Sequence, residues 1–264
     1  MKLSDATIDT PFILMKGEPG LRKSTQALSF AKRGPQYWFS YDRKMSGILI
    51  PAKLWGIDLS TIEYDDYDDW QKARIKLENL AMNAKKYQGG IIMDSVTTMA
   101  DAALRQTLKL KIGQTRGSGQ AAGKLVGGIA VNELEDYNAE AGALNEMLAL
   151  LKDINSFHKI PVILIAHVLE GGQKPGQSNT TVNRRIVTAG KTPAAKIPAI
   201  CTEVIHFNFK PGVVEGTGSY QMITENNGDD FARTSIGLPR EMTFTNEPLY
   251  EKWFEPALKK LGGV

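Results

Sequence analysis

The residues with the most chemistry in this sequence stand close to its start, in Gly17-Glu18-Pro19-Gly20-Leu21-Arg22-Lys23-Ser24-Thr25. A glycine-bearing turn followed by a lysine and two hydroxyls at the opening of a helix presents backbone N–H groups, and partial positive charge, to an anion. In that setting Lys23 reaches the β- and γ-phosphates of a nucleoside triphosphate, and the Ser24 hydroxyl sits on Mg2+. The pattern G-x-x-x-x-G-K-[ST] is met except at Arg22, which stands where the second glycine belongs. A side chain there either alters the local backbone or swings out to solvent and leaves the cradle intact. The plainer alternative is a helix N-terminus that happens to contain Gly and Lys.

The elements that must position these groups can be read on either side. Phe12-Ile13-Leu14-Met15 is a short apolar run with the character of a buried strand, and Gln26 to Arg33 has that of a helix, so the order is strand, phosphate loop, helix. Gln36-Tyr37-Trp38-Phe39-Ser40-Tyr41 reads as a second strand ending at Asp42, and Ile91-Ile92-Met93 as a third ending at Asp94. Pro161-Val162-Ile163-Leu164-Ile165-Ala166 is a central strand with His167 at its end. Ligands of open α/β sheets sit at the carboxyl ends of strands. Asp94 is therefore the natural carboxylate to orient Mg2+ opposite Ser24, the alternative being a cap for a helix beginning near Val96 or Thr97.

Between these lie a short strand at residues 61–64 and a helix capped by Asp68 or Asp69, with Trp70, Ala73, Leu77, Leu80, Ala84 and Tyr87 on one stripe up to Gly89-Gly90. A long amphipathic helix carries Leu134, Tyr137, Ala141, Leu144, Leu148 and Leu151 and ends near His158. A hairpin pairs residues 204–209 with 219–224, and a terminal helix covers about residues 248–261. Residues 113–128 hold six glycines and read as a loop, as do the polar residues 170–191. Loops of that length inside a domain are usually functional or disordered.

Composition bounds the rest. A chain of 264 residues, 42% hydrophobic and 23% charged, suits one α/β domain over residues 1–264, and no apolar run approaches the length of a membrane span. The start, Met1-Lys2-Leu3-Ser4-Asp5, has no apolar secretory core, so a cytoplasmic location is expected. Cys201 is the only cysteine, which excludes an internal disulfide; His158, His167 and His206 lack metal-ligand spacing, which argues against zinc. A net charge of +3 does not by itself indicate nucleic acid.

In their order and spacing these motifs resemble the RecA-like ATPase core. Residues 38–66, with Leu54-Trp55-Gly56-Ile57-Asp58, look like the corresponding part of recombinase ATP domains. Ile91-Ile92-Met93-Asp94-Ser95, Leu164-Ile165-Ala166-His167 and Thr188-Ala189-Gly190-Lys191 before Ile197-Pro198 are similar to short phage-encoded RecA-like nucleotide-binding proteins, some of which anneal single strands. The resemblance implies a mainly parallel central sheet with antiparallel C-terminal strands, ATP and Mg2+ as ligands, and a ring or filament. It implies that Gly17 to Thr25 bind the nucleotide and that His167 senses the γ-phosphate, unless it is a core histidine. It makes Arg233 a candidate finger toward a neighbouring protomer, with Lys210 in reserve. The two polar loops correspond to DNA-facing loops, with Arg116, Lys124, Lys174, Arg184, Arg185 and Lys191 on single-stranded DNA; a solvated basic surface is the alternative. Recombinases place a catalytic glutamate after the second strand, where this chain reads Tyr41-Asp42-Arg43-Lys44, so Asp42 is the nearby acid and slow hydrolysis or binding alone is expected. A nucleotide-gated adaptor without DNA contact is the main rival, and a small-molecule phosphotransferase ranks third.

Overall fold

The computed structural model describes residues 10–118, 125–126, 129–130, 134–169, 185–188, 191–212, 218–226 and 231–262. Its strands are β1 (Phe12–Gly17), β2 (Gln36–Ser40), β3 (Ile62–Asp66), β4 (Gly90–Asp94), β5 (Leu125–Val126), β6 (Ile129–Ala130), β7 (Val162–Leu169), β8 (Arg185–Ile186), β9 (Glu203–Pro211), β10 (Gly218–Ile223) and β11 (Glu241–Phe244). The helices are α1 (Lys23–Leu28), α2 (Leu49–Leu54), α3 (Trp70–Ala81), α4 (Val96–Ser118), α5 (Leu134–His158), α6 (Lys191–Ile200) and α7 (Glu255–Lys260).

The main sheet runs β11-β10-β9-β1-β7-β4-β2-β3, with β8 paired to β7 off that path. From β9 to β3 every pairing is parallel, whereas β10 and β11 are antiparallel. This is the α/β architecture expected from the sequence, a mainly parallel sheet with antiparallel C-terminal strands: β1, which leads into residues 17–25, is separated from the Asp94 strand by the strand that carries His167. The central strands read as continuous apolar runs because both of their faces are covered. Phe12 and Leu14 of β1 join Leu144, Met147 and Leu151 of α5 on one side, while Ile13 and Met15 join Ala27, Leu28 and Phe254 on the other.

Several local expectations need correcting. The helix after residues 17–22 is α-helical only to Leu28, and Ser29–Arg33 tightens into a 3-10 turn whose Ser29 hydroxyl donates to Gln26 O (2.6 Å). Of the two caps expected for α3 the structure selects Asp69, which accepts from Gln71 N (2.9 Å) and Lys72 N (3.2 Å). That helix stops at Ala81, and Ala84–Lys86 forms a separate turn before Gly89. The loop expected at residues 113–128 is partly regular, because α4 continues to Ser118 and β5 pairs with β6. Within residues 170–191, Arg185–Ile186 is a strand and Lys191 opens α6. The terminal helix begins as a π-helical turn, Tyr250–Phe254.

Candidate nucleotide site

β1 ends at Gly17, where the backbone must pass hard against β9: a Cβ built at Gly17 would lie 2.6 Å from Phe207 O. Gly20 takes φ 83° in the turn that follows, a conformation open to glycine at no steric cost. Arg22 sits in the left-handed region too, with φ 61° and ψ 25°. The backbone at this irregular position therefore does what a glycine there would do. The side chain turns away from the loop, its Nη1 donating to Thr245 O and to Asn246 Oδ1 (3.0 Å).

Lys23 is buried, and its ammonium donates to Gly17 O (2.9 Å) and Glu18 O (2.7 Å). Burial lowers its pKa to about 8, against the pull of the Asp94, Asp42 and Glu18 carboxylates. Ser24 Oγ donates to Asp94 Oδ2 at 2.8 Å. Only 8% of Asp94 is exposed, and burial, with Asp42 nearby, raises its pKa to about 6 against the Ser24 hydrogen bond and the charges of His167 and Lys23. A buried ammonium that bonds only to loop carbonyls, beside a carboxylate that is costly to ionise, is an arrangement that a polyanion and a cation would stabilise. The hydroxyl and carboxylate are hard oxygen donors of the kind that suit Mg2+, which takes one or two carboxylates and completes its shell with water and substrate phosphate. The residues present thus fit Mg2+ with a nucleoside triphosphate: Lys23 and the loop amides for the phosphates, Ser24 and Asp94 for the ion.

Asp42 and His167 meet beside this pair. Asp42 Oδ2 lies 3.1 Å from His167 Nε2, and Oδ1 accepts from Ser95 Oγ (3.1 Å) and Thr98 Oγ1. Burial alone would raise the Asp42 pKa; the hydrogen bonds from His167, Thr98 and Ser95 outweigh it and bring the value to about 2. The backbones of Tyr41 and Asp42 also donate to Asp94 O (2.6 and 3.2 Å), which fixes the end of β2 against the end of β4. His167 lies inside β7 rather than at its end, because the strand continues to Leu169 and pairs with β8. Its backbone N donates to Thr97 Oγ1 (3.0 Å), and Nδ1 is buried with no hydrogen-bond partner among the described residues.

The sequence reading missed Thr97, Ser95 and Thr98, for which the hydroxyl-rich run after Asp94 is the available signal. It also missed the C-terminal clamp on α1: Gln26 Nε2 donates to Glu247 O (3.0 Å), while Gln26 Oε1 and Ser29 Oγ accept from Leu249 N (2.7 Å) and Tyr250 N (3.0 Å). Next to the loop lies a cavity of about 330 Å3 bounded by Arg22, Thr25, Gln26, Gly47, Ile50, Pro51, Leu54, Trp55, Thr245 and Asn246.

Of the remaining candidates, Arg233 and Lys210 are not brought into this cluster. Arg233 donates to Ala199 O (3.0 Å) and Cys201 O, at the amino end of β9 and so at the far end of the parallel strands from the loop. Lys210 lies near the end of β9, paired across to Ser219. Lys124, Lys174 and Arg184 fall outside the described residues; Arg116, Arg185 and Lys191 are placed by backbone in α4, β8 and α6. Among the described residues no helix is long and apolar enough to cross a membrane.

Compared with known proteins, the chain matches no family model and no curated sequence. Among solved structures it is similar to one described as the crystal structure of the RadB recombinase, at 14% identity and a TM-score of 0.48, over 84% of this chain and 83% of that one.

Proposed function

We propose that this chain is a RecA-like ATPase that binds ATP with Mg2+ and single-stranded DNA, and that it works as an oligomer in DNA recombination, by strand annealing, or in replication. The observation that carries the nucleotide half is the convergence of Lys23, Ser24 and Asp94 at the carboxyl ends of β1 and β4, with Ser24 Oγ donating to Asp94 at 2.8 Å. Lys23 exchanges the carbonyls of Gly17 and Glu18 for phosphate oxygens. The apolar residues Ile50, Pro51, Leu54 and Trp55 offer the base a face in the adjoining cavity. Mg2+ held by Ser24 and Asp94 would supply charge neutralisation to the phosphates. Asp42, held by Ser95, Thr98 and His167, is the carboxylate placed to orient a water; its short, fully engaged side chain supports slow turnover.

The DNA half is supported by how the chain leaves the site. Val187 N donates to His167 O (2.9 Å) and β8 pairs with the end of β7, so the backbone on either side of residues 170–184 is held beside the histidine that contacts Asp42. In sequence Lys174 and Arg184 lie between these strands and Arg185 opens β8; with Arg116, Lys124 and Lys191 they supply contacts to a phosphate backbone without reading sequence.

The test is calorimetric titration of ATP with Mg2+ into wild type and Lys23→Ala, together with turnover measured with and without single-stranded DNA at two salt concentrations. Loss of binding in Lys23→Ala and DNA stimulation that fades with salt are expected. Undiminished ATP affinity in that variant refutes the site. ATP binding with no DNA effect returns the reading to a nucleotide-gated assembly protein.

A further inference from the structure

Arg22 is the one residue of the phosphate loop that departs from the pattern, and its side chain is already engaged. Its guanidinium lies 4.4 Å from the centre of the Tyr220 ring on β10, and Nη1 reaches Thr245 O and Asn246 Oδ1. These last two residues follow β11 and bound the 330 Å3 cavity. From another wall of that cavity the Trp55 indole N–H donates to Asn246 O at 2.7 Å. Arg22 and Trp55 thus hold one dipeptide from separate elements. A guanidinium suits this position because its planar fork can serve two acceptors while its face rests on an aromatic ring.

We propose that Arg22 is a positioning residue for the nucleoside end of the ligand: it ties the phosphate loop to the Thr245–Asn246 wall, so that the phosphate cradle and the slot for base and ribose are held as one unit. The functional half of this inference rests on the nucleotide reading above. A glycine at position 22 restores the regular motif and relaxes a left-handed backbone that is strained for any other residue. It also leaves the wall held from Trp55 at Asn246 and from Gln26 of α1 at Glu247, with no tie from the loop residue itself. The two views of Arg22 therefore differ in sign. If it is a tolerated irregularity, Arg22→Gly binds ATP at least as well as wild type; if it is a tether, ATP binding weakens.

The experiment titrates ATP and inorganic tripolyphosphate, each with Mg2+, into wild type, Arg22→Gly and Arg22→Lys. Loss of hydrogen bonds made by a charged donor is expected to weaken ATP about tenfold in Arg22→Gly. Tripolyphosphate, which has no nucleoside to place, changes by about twofold or less, and Arg22→Lys is intermediate because a point charge replaces the fork. Equal or tighter ATP binding in Arg22→Gly overturns the proposal, as does an equal loss for both ligands, which assigns Arg22 to the cradle itself. Hydrogen exchange on the nucleotide-free proteins gives an independent reading. Faster exchange at residues 245–249 in Arg22→Gly is expected, since these amides lie next to the released wall; unchanged exchange overturns the tether. If wild type binds neither ligand, the ATP reading fails and exchange alone decides on the tether.

Discussion

Replacing Asp94 with asparagine should make the nucleotide-free protein more stable while removing its metal-dependent ATP binding. The magnitude follows from the carboxylate's surroundings. Burial, with Asp42 close by, lifts its pKa from 3.8 to about 6, although the Ser24 hydroxyl, His167 and Lys23 all favour the charge. A rise of that size corresponds to about 3 kcal/mol. The folded form holds the proton more tightly than the unfolded form, so stability is greatest below about pH 4, falls as pH rises toward 6, and stays at the lower level above that. Asparagine keeps the shape and an oxygen for Ser24 to donate to, and it carries no charge. At pH 7 in metal-free buffer Asp94→Asn is therefore expected to gain up to about 3 kcal/mol, or roughly 5–10 °C in melting temperature for a chain of this size. At pH 4 the two proteins should unfold alike. Differential scanning fluorimetry with chelator, run from pH 4 to 7.5 and followed by ATP titration with Mg2+, measures both arms. A variant that melts at or below the wild-type temperature at pH 7, or that keeps the wild-type decline between pH 4 and 6, refutes the claim that Asp94 is held charged at a cost that only a cation relieves.

Asp42 carries the opposite sign: its folded-state pKa lies below 3.8, at about 2, so the stability it contributes is present above about pH 4 and is lost as pH falls through 2. Asp42→Asn should cost about 2 kcal/mol at pH 7 and flatten the acid limb, and an unchanged acid midpoint in circular dichroism would count against the network with His167, Thr98 and Ser95. For single-stranded DNA, engagement of Arg116, Lys124, Lys174, Arg184, Arg185 and Lys191 together predicts a slope of log affinity on log salt of about −4. Arg184→Ala with Arg185→Ala should reduce that slope by roughly 1, and fluorescence anisotropy showing the same slope in both proteins would remove these two residues from the interface.

Much of the site was legible because its signals are local. A strand is recognised by its apolar run, and a residue at the end of such a run points to the carboxyl edge of the sheet wherever the strand lies; this placed Asp42 and Asp94 correctly along the chain. The Gly-Lys-Ser spacing likewise fixes which groups a turn presents. Glycine content misled at residues 113–128. Each glycine weakens a helix by only about 1 kcal/mol, an amount that packing of α4 against α5 can offset over so long a helix. His167 was read as the end of its strand because the apolar run stops there, yet pairing with β8 carries the backbone two residues further.

By itself, then, the sequence determined the order of elements and the positions of Lys23, Ser24, Asp42 and Asp94 at the ends of their strands and turn, since each depends on residues within a few positions of one another. The fold alone decided which strands are neighbours, and with that the contact of Asp42 with His167, 125 positions apart, and the reach of Arg22 to Asn246, 224 positions apart. No periodicity encodes such pairs. They exist because β7 is inserted between β1 and β4, and because the antiparallel strands return the C-terminal segment to the phosphate loop.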